Sequence, residues 1–128
     1  MSHFTTIQTQ IKDVTALRAA CNEMKLPFLT NADARGYGNQ TRHGDFVIKL
    51  RGPYDIAVNR QPDGTFSLTT DWWQGHVEQE VGPNFGKLLQ LYAVHKATAE
   101  ARMKGFSVLR QPQRNGGVKL VLLAGGAA

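Results

Sequence analysis

The spacing of apolar residues changes several times along the chain, and each change marks an element. Thr5, Ile7, Thr9 and Ile11 alternate across residues 4–11 and share one face of a β-branched strand. Asp13 then stands where a helix cap belongs. Val14, Leu17, Cys21 and Met24 recur at helical steps with Ala20 beside them, while Arg18, Asn22 and Glu23 face outward. Pro27 ends this helix, and Leu26–Leu29 is an optional short strand. Further on, three alternating runs form a meander: Phe46, Ile48, Leu50; then Tyr54, Ile56, Val58; then Phe66, Leu68, Thr70, Trp72. Gly52-Pro53 and Gln61-Pro62-Asp63-Gly64 supply the turns. Slipping any of these strands by one residue would expose its apolar set, so the register is specified.

Gly82-Pro83 opens the longest predicted helix. Phe85, Leu88, Leu89, Tyr92, His95, Ala99 and Met103 mark its apolar side, and Gly105 ends it. Phe106–Arg110 then pairs with Val118–Leu123 across a turn containing Asn115-Gly116-Gly117. The predicted order is β-α-(β)-β-β-β-α-β-β. This is an α+β fold: an antiparallel sheet of five to seven strands with two helices on one face. No repeat or linker divides it, so residues 1–123 read as one domain and 124–128 as a frayed tail.

Residues 31–44 break the pattern. Asn31-Ala-Asp-Ala-Arg-Gly-Tyr-Gly-Asn-Gln-Thr-Arg-His-Gly44 holds three glycines and shows no clear period, so it reads as a long loop. Arg35, Tyr37, Arg42 and His43 lie in it. Arginine grips phosphate or carboxylate, and tyrosine stacks or anchors. The same run also fits a glycine-rich turn with no ligand. It is neither a P-loop nor a dinucleotide fingerprint. In Asp71-Trp72-Trp73 adjacent side chains point oppositely. One tryptophan therefore faces the core, while the other is either covered or available as a partner anchor.

Charge is unevenly distributed. The net charge is +5. Up to and including Glu100, ten basic residues balance ten acidic ones; beyond it come Arg102, Lys104, Arg110, Arg114 and Lys119 with no acid. Arg110, Arg114 and Lys119 fall on the terminal hairpin. They form either a phosphate-facing patch or charges that keep an edge hairpin from pairing with other sheets.

Candidate chemistry is sparse. One cysteine, Cys21, excludes an internal disulfide and a multi-cysteine zinc site, and its helical position predicts burial. Four histidines show no metal spacing. Asp45, Asp55 and Asp71 lie on or near neighbouring strands, where carboxylates can do acid–base work or mark solvated strand ends. No nucleophile elbow or zinc-protease motif occurs. No catalytic residue, metal or cofactor is expected. The N-terminus lacks the features of a signal peptide and no apolar run suits a membrane span; the expected location is cytoplasmic, with no membrane partner.

Several segments together resemble a known family: Met1-Ser-His-Phe-Thr-Thr-Ile7, Arg35-Gly36-Tyr37, Tyr54-Asp-Ile-Ala-Val58, Asp71-Trp72-Trp73 and Ala101-Arg-Met-Lys-Gly-Phe-Ser-Val108. They are similar to the plastid and cyanobacterial "ycf thirty-five" reading frame and its bacterial relatives, a domain of unknown function. The resemblance implies a small cytoplasmic or plastid stromal protein, in some cases encoded near an AAA-type ATPase. It assigns no catalytic residues.

Three functional readings follow, in order. The first is a non-enzymatic binding or adaptor module, accessory to a protein partner such as an AAA-type ATPase, engaging it through Arg35, Tyr37, Arg42, His43 and Trp73. The second is a nucleic-acid-binding accessory using Arg35, Arg42, Arg110, Arg114 and Lys119. The third is an enzyme with a site under the 31–44 loop.

Overall fold

A computed structural model describes residues 3–124. Five antiparallel strands form the main sheet: β1 (Thr5–Gln8), β2 (Phe28–Arg35), β3 (Thr41–Ile48), β4 (Ile56–Arg60) and β5 (Phe66–Thr70), in spatial order β1-β5-β4-β3-β2. Helices α1 (Val14–Glu23), the short α2 (His76–Val81) and α3 (Gly86–Met103) follow the strands in between. The terminal strands β6 (Ser107–Pro112) and β7 (Val118–Leu123) pair only with each other. The α+β class, the antiparallel sheet and the two long helices agree with the sequence pattern; α2 is an addition the pattern did not signal. Of the predicted tail, all but Ala124 lies outside the described residues.

The alternation that predicted the meander also builds the core. Ile48, Ile56, Val58, Phe66 and Leu68 point to one face, where they meet Leu17 and Cys21 of α1, Val77 and Val81 of α2, and Leu88 and Tyr92 of α3. Asp13 caps α1, its Oδ1 accepting from Ala16 N at 3.1 Å. The Tyr92 hydroxyl accepts from the N–H groups of Lys12 and Asp13, both at 3.2 Å, and so ties α3 to the start of α1. Gly105 ends α3 with φ +88°, as a C-terminal glycine should.

Segment 31–44 is not a loop. It is the distal half of the β2–β3 hairpin, and it folds back over the sheet's other face. Pairing runs from Phe28↔Ile48 to Arg35↔Thr41 and skips one rung, between Ala32↔Gly44 and Thr30↔Phe46. There Asn31 takes φ +51°, a left-handed conformation that asparagine tolerates better than most residues. Past this bend the hairpin returns along β4 until Arg35 O accepts from Asp55 N at 3.0 Å.

Small side chains permit this close approach. Ala34 packs with Val47 and Ala57, all essentially buried, and Ala32 lies beside them. A Cβ on Gly44 would run into Phe46 O and sit 3.1 Å from Val58 N and 3.3 Å from Ala57 Cα. A Cβ on Gly36 would strike the Phe4 ring. The low apolar content that suggested a loop is what lets backbone rest on backbone.

Candidate functional site

The folded-back hairpin delivers its tip to the end of β5. Asp71, just past that strand, is buried, and its two oxygens hold two distant segments. Oδ2 accepts from Tyr37 N at 3.2 Å, and Oδ1 accepts from Trp73 N at 3.0 Å. The two rings then meet edge to face, with centroids 6.0 Å apart and planes at 74°. Both stay accessible: Tyr37 is 46% exposed and Trp73 37%. Trp72 turns inward instead and packs against Phe85 at 4.7 Å; the pair divides as the sequence pattern expected, but at a 3-10 turn past the end of β5 rather than within a strand. Phe4 covers Gly36, and the Arg42 guanidinium lies 5.2 Å from the Phe4 ring centroid. Beside Trp73 a cleft of about 260 Å³ is lined by Trp72, Gly75, Glu78 and Asn84.

Arg35 sits next to Tyr37 but does different work. Its Nε donates to Asp55 Oδ2 and its Nη2 to Asp55 Oδ1, both at 2.8 Å. Nη2 also reaches the carbonyls of Leu50 at 3.1 Å and Gly52 at 2.9 Å. The buried Asp55 carboxylate additionally accepts from the N–H groups of Arg35 and Leu50, each at 3.0 Å. Burial pushes the Asp55 carboxyl up, but these hydrogen bonds and the adjacent guanidinium outweigh it, so the group titrates below the ordinary aspartate range. Arg35 thus fastens the hairpin to the β3–β4 connection through Nε and Nη2, while its side chain stays 43% exposed.

The other singled-out residues fall elsewhere. His43 faces its cross-strand neighbour Asp33, Nδ1 to Oδ1 at 3.0 Å, on the exposed side of the hairpin. Arg110 reaches back to α1, where its Nη1 donates to Glu23 Oε2 at 2.9 Å, while His95 Nε2 meets Glu23 Oε1 at 2.7 Å. Arg114 and Lys119 lie on the terminal hairpin, exposed, and form no ion pair among the described residues. The four arginines and one lysine of the nucleic-acid reading therefore divide between two hairpins. Beneath the middle of the hairpin Ala34, Val47 and Ala57 pack together, and a cleft of about 310 Å³ lined by Pro27, Arg35, Lys49, Leu50 and Arg51 lies beside its Arg35 end. Burial pushes the Cys21 thiol up to about 12 despite nearby Arg18, which leaves no thiolate at neutral pH. Among the described residues no group of three or more His, Cys, Asp or Glu side chains is placed to hold a metal.

Comparison with known proteins now gives the family. The model for a protein of unknown function, DUF1257, matches residues 20–121. The chain belongs to the DUF1257 family. An "Uncharacterized protein ycf35" of Pyropia yezoensis is 31% identical over 126 residues, covering 95% of this chain and 96% of the relative. A protein of the same description from Guillardia theta is 29% identical over 125 residues, with the same coverage. No solved structure matches the chain with significance. These relatives also correct one expectation: ycf35 proteins are plastid proteins, so the cytoplasmic location read from the absence of a signal peptide does not stand. Within the described residues no helix is long and apolar enough to cross a membrane.

Sequence reasoning found Tyr37 and Trp73 separately and missed what joins them. Asp71 was legible only as a carboxylate near a strand end. Phe4 gave no signal, since its partner Gly36 lies 32 positions away in the sequence.

Proposed function

We propose that this DUF1257 member is a non-enzymatic binding module whose partner-facing site is the Tyr37–Trp73 pair. The reading rests on one observation: two accessible aromatics from distant segments are held in contact by a buried carboxylate. Aromatic side chains fixed in this way lose little freedom on docking, and tyrosine and tryptophan are the residues most often found at the energetic centre of protein interfaces. Arg42 over the Phe4 ring and the cleft lined by Glu78 supply a polar surround. Arg35 serves as the fastener that sets the hairpin tip. The partner class is a protein, and an AAA-type ATPase is the specific candidate carried by the family resemblance.

The test is affinity capture from native extract with the full chain, beside Tyr37→Ala and Trp73→Ala variants whose melting profile is unchanged. Each substitution should reduce recovery of a specific partner at least about tenfold, the effect of losing a central aromatic contact. Equal recovery by the wild type and both variants would remove the site from this role.

A further inference from the structure

The terminal hairpin is a second, separate surface. β6 and β7 stand apart from the main sheet, and a two-stranded hairpin alone is marginal in water. Its register puts Ser107, Leu109 and Gln111 opposite Leu123, Val121 and Lys119 on one face. Val108, Arg110 and Pro112 lie opposite Leu122, Leu120 and Val118 on the other. The bond from Arg110 to Glu23 turns this second face toward the helices. The first face carries a row of apolar residues, Leu109, 49% exposed, half-buried Val121 and Leu123, 51% exposed, while Leu122 on the second face is 49% exposed as well. Helix packing covers only part of the second face and leaves the first an unfinished apolar layer.

The charges the hairpin itself carries are of one sign. Arg102, Lys104, Arg114 and Lys119 form no ion pair among the described residues, and the chain beyond Glu100 contains no acid. The hairpin also offers an open edge. Neither strand has a partner on its outer edge, and β6 ends in Pro112, which has no N–H to donate, so β7 is the edge better suited to take a further strand.

We propose that the β7 edge and the Leu109–Val121–Leu123 face take an extended acidic segment of a protein partner, added as a third strand. Its alternate apolar side chains would continue the leucine face, and its carboxylates would meet Lys119 and Arg114. The charge and the backbone together select this occupant. A second copy would bring two like-charged rims together. A lipid surface would leave the open strand edge without hydrogen-bond partners in an apolar phase. Nucleic acid would satisfy the cations but set leucines, with no aromatic among them to stack on a base, against phosphates.

Random-peptide display against the full chain tests this, followed by amide chemical-shift mapping of the enriched peptides. Acidic sequences with alternating apolar residues should be selected and should shift the amides of residues 118–123. Lys119→Glu and Leu109→Lys change exposed positions; once an unaltered melt has shown that each folds, each should weaken binding about tenfold, with added salt acting in the same direction. Selection of neutral or basic peptides, no enrichment, or shifts confined to the Tyr37–Trp73 region would overturn the proposal. So would binding to phosphatidylglycerol vesicles or duplex DNA, or self-association at high concentration, that Leu109→Lys abolishes. The result is independent of Tyr37→Ala and Trp73→Ala, which leave this hairpin untouched.

Discussion

The β2–β3 hairpin lies flat on the sheet because its contact positions are Ala32, Ala34, Gly36 and Gly44, whereas the β6–β7 hairpin carries leucines on both faces and is tied to α1 through the Glu23 carboxylate. In the first, backbone approaches backbone, and two buried aspartates, Asp55 and Asp71, satisfy the N–H groups that this approach would strand. In the second, the ion cluster of Glu23, His95 and Arg110 is partly solvated and contributes little on its own. The difference teaches that one supersecondary motif can serve as core or as appendage, depending on whether its small residues or its large ones meet the rest of the molecule.

The comparison breaks most severely at Asp55. Asp55→Ala strands the buried N–H groups of Arg35 and Leu50 and leaves the guanidinium unpaired. Because the Arg35 side chain is 43% exposed, water recovers part of that loss, and we expect a cost of about 3 kcal/mol by urea denaturation. A cost below about 1 kcal/mol would show that the hairpin is not fastened there. The acid limb carries the same signature. The Asp55 pKa is depressed in the folded chain, so its contribution is present above the unfolded value of about 3.9 and disappears as pH falls through the lower folded value. Stability measured downward from about pH 4 should fall in the wild type and fall less in Asp55→Asn.

Ala34→Leu asks whether close approach is essential. The added carbons have no room among Val47 and Ala57, and a loss of about 2 kcal/mol is expected from thermal melts. An unchanged melt would mean that the distal hairpin can lift off without consequence. Asp71→Asn is milder: it keeps one acceptor and removes the other, at a cost of about 1 kcal/mol. The near-ultraviolet signal of Trp73 should shift as its contact with Tyr37 loosens, and an unaltered spectrum would deny Asp71 its positioning role. Smallest is Glu23→Gln. Global stability should move by about 0.5 kcal/mol or less, while amide exchange over residues 107–112 quickens. A large global loss from Glu23→Gln would contradict the view of β6–β7 as an appendage.

Much of this was legible in the chain. Asp13 as a cap, the alternation through Phe46–Ile48, Ile56–Val58 and Phe66–Leu68, the Gly105 stop and the Asn115-Gly116-Gly117 turn all act through neighbours in sequence, and each stands where its local physics puts it. The distal hairpin was legible too, in a weaker script: Ala32, Ala34 and Gly36 alternate with Asn31, Asp33 and Arg35, which is a strand period written in small residues. A hydrophobicity count passes over it because alanine and glycine bury little area.

The candidate site divides along the same line. That Tyr37 and Trp73 are aromatic and the terminus basic is fixed before folding. That Tyr37 touches Trp73, that Arg35 is consumed by Asp55, and that Arg42 lies over Phe4 depend on a bend at Asn31 and on contacts between residues tens of positions apart. The sequence by itself determined the two long helices, the register of the meander and the sign of the terminal charge, because those follow from side-chain period and charge. Only tertiary structure decided which face the hairpin covers, since that choice rests on the absence of Cβ atoms at a contact with a strand far along the chain.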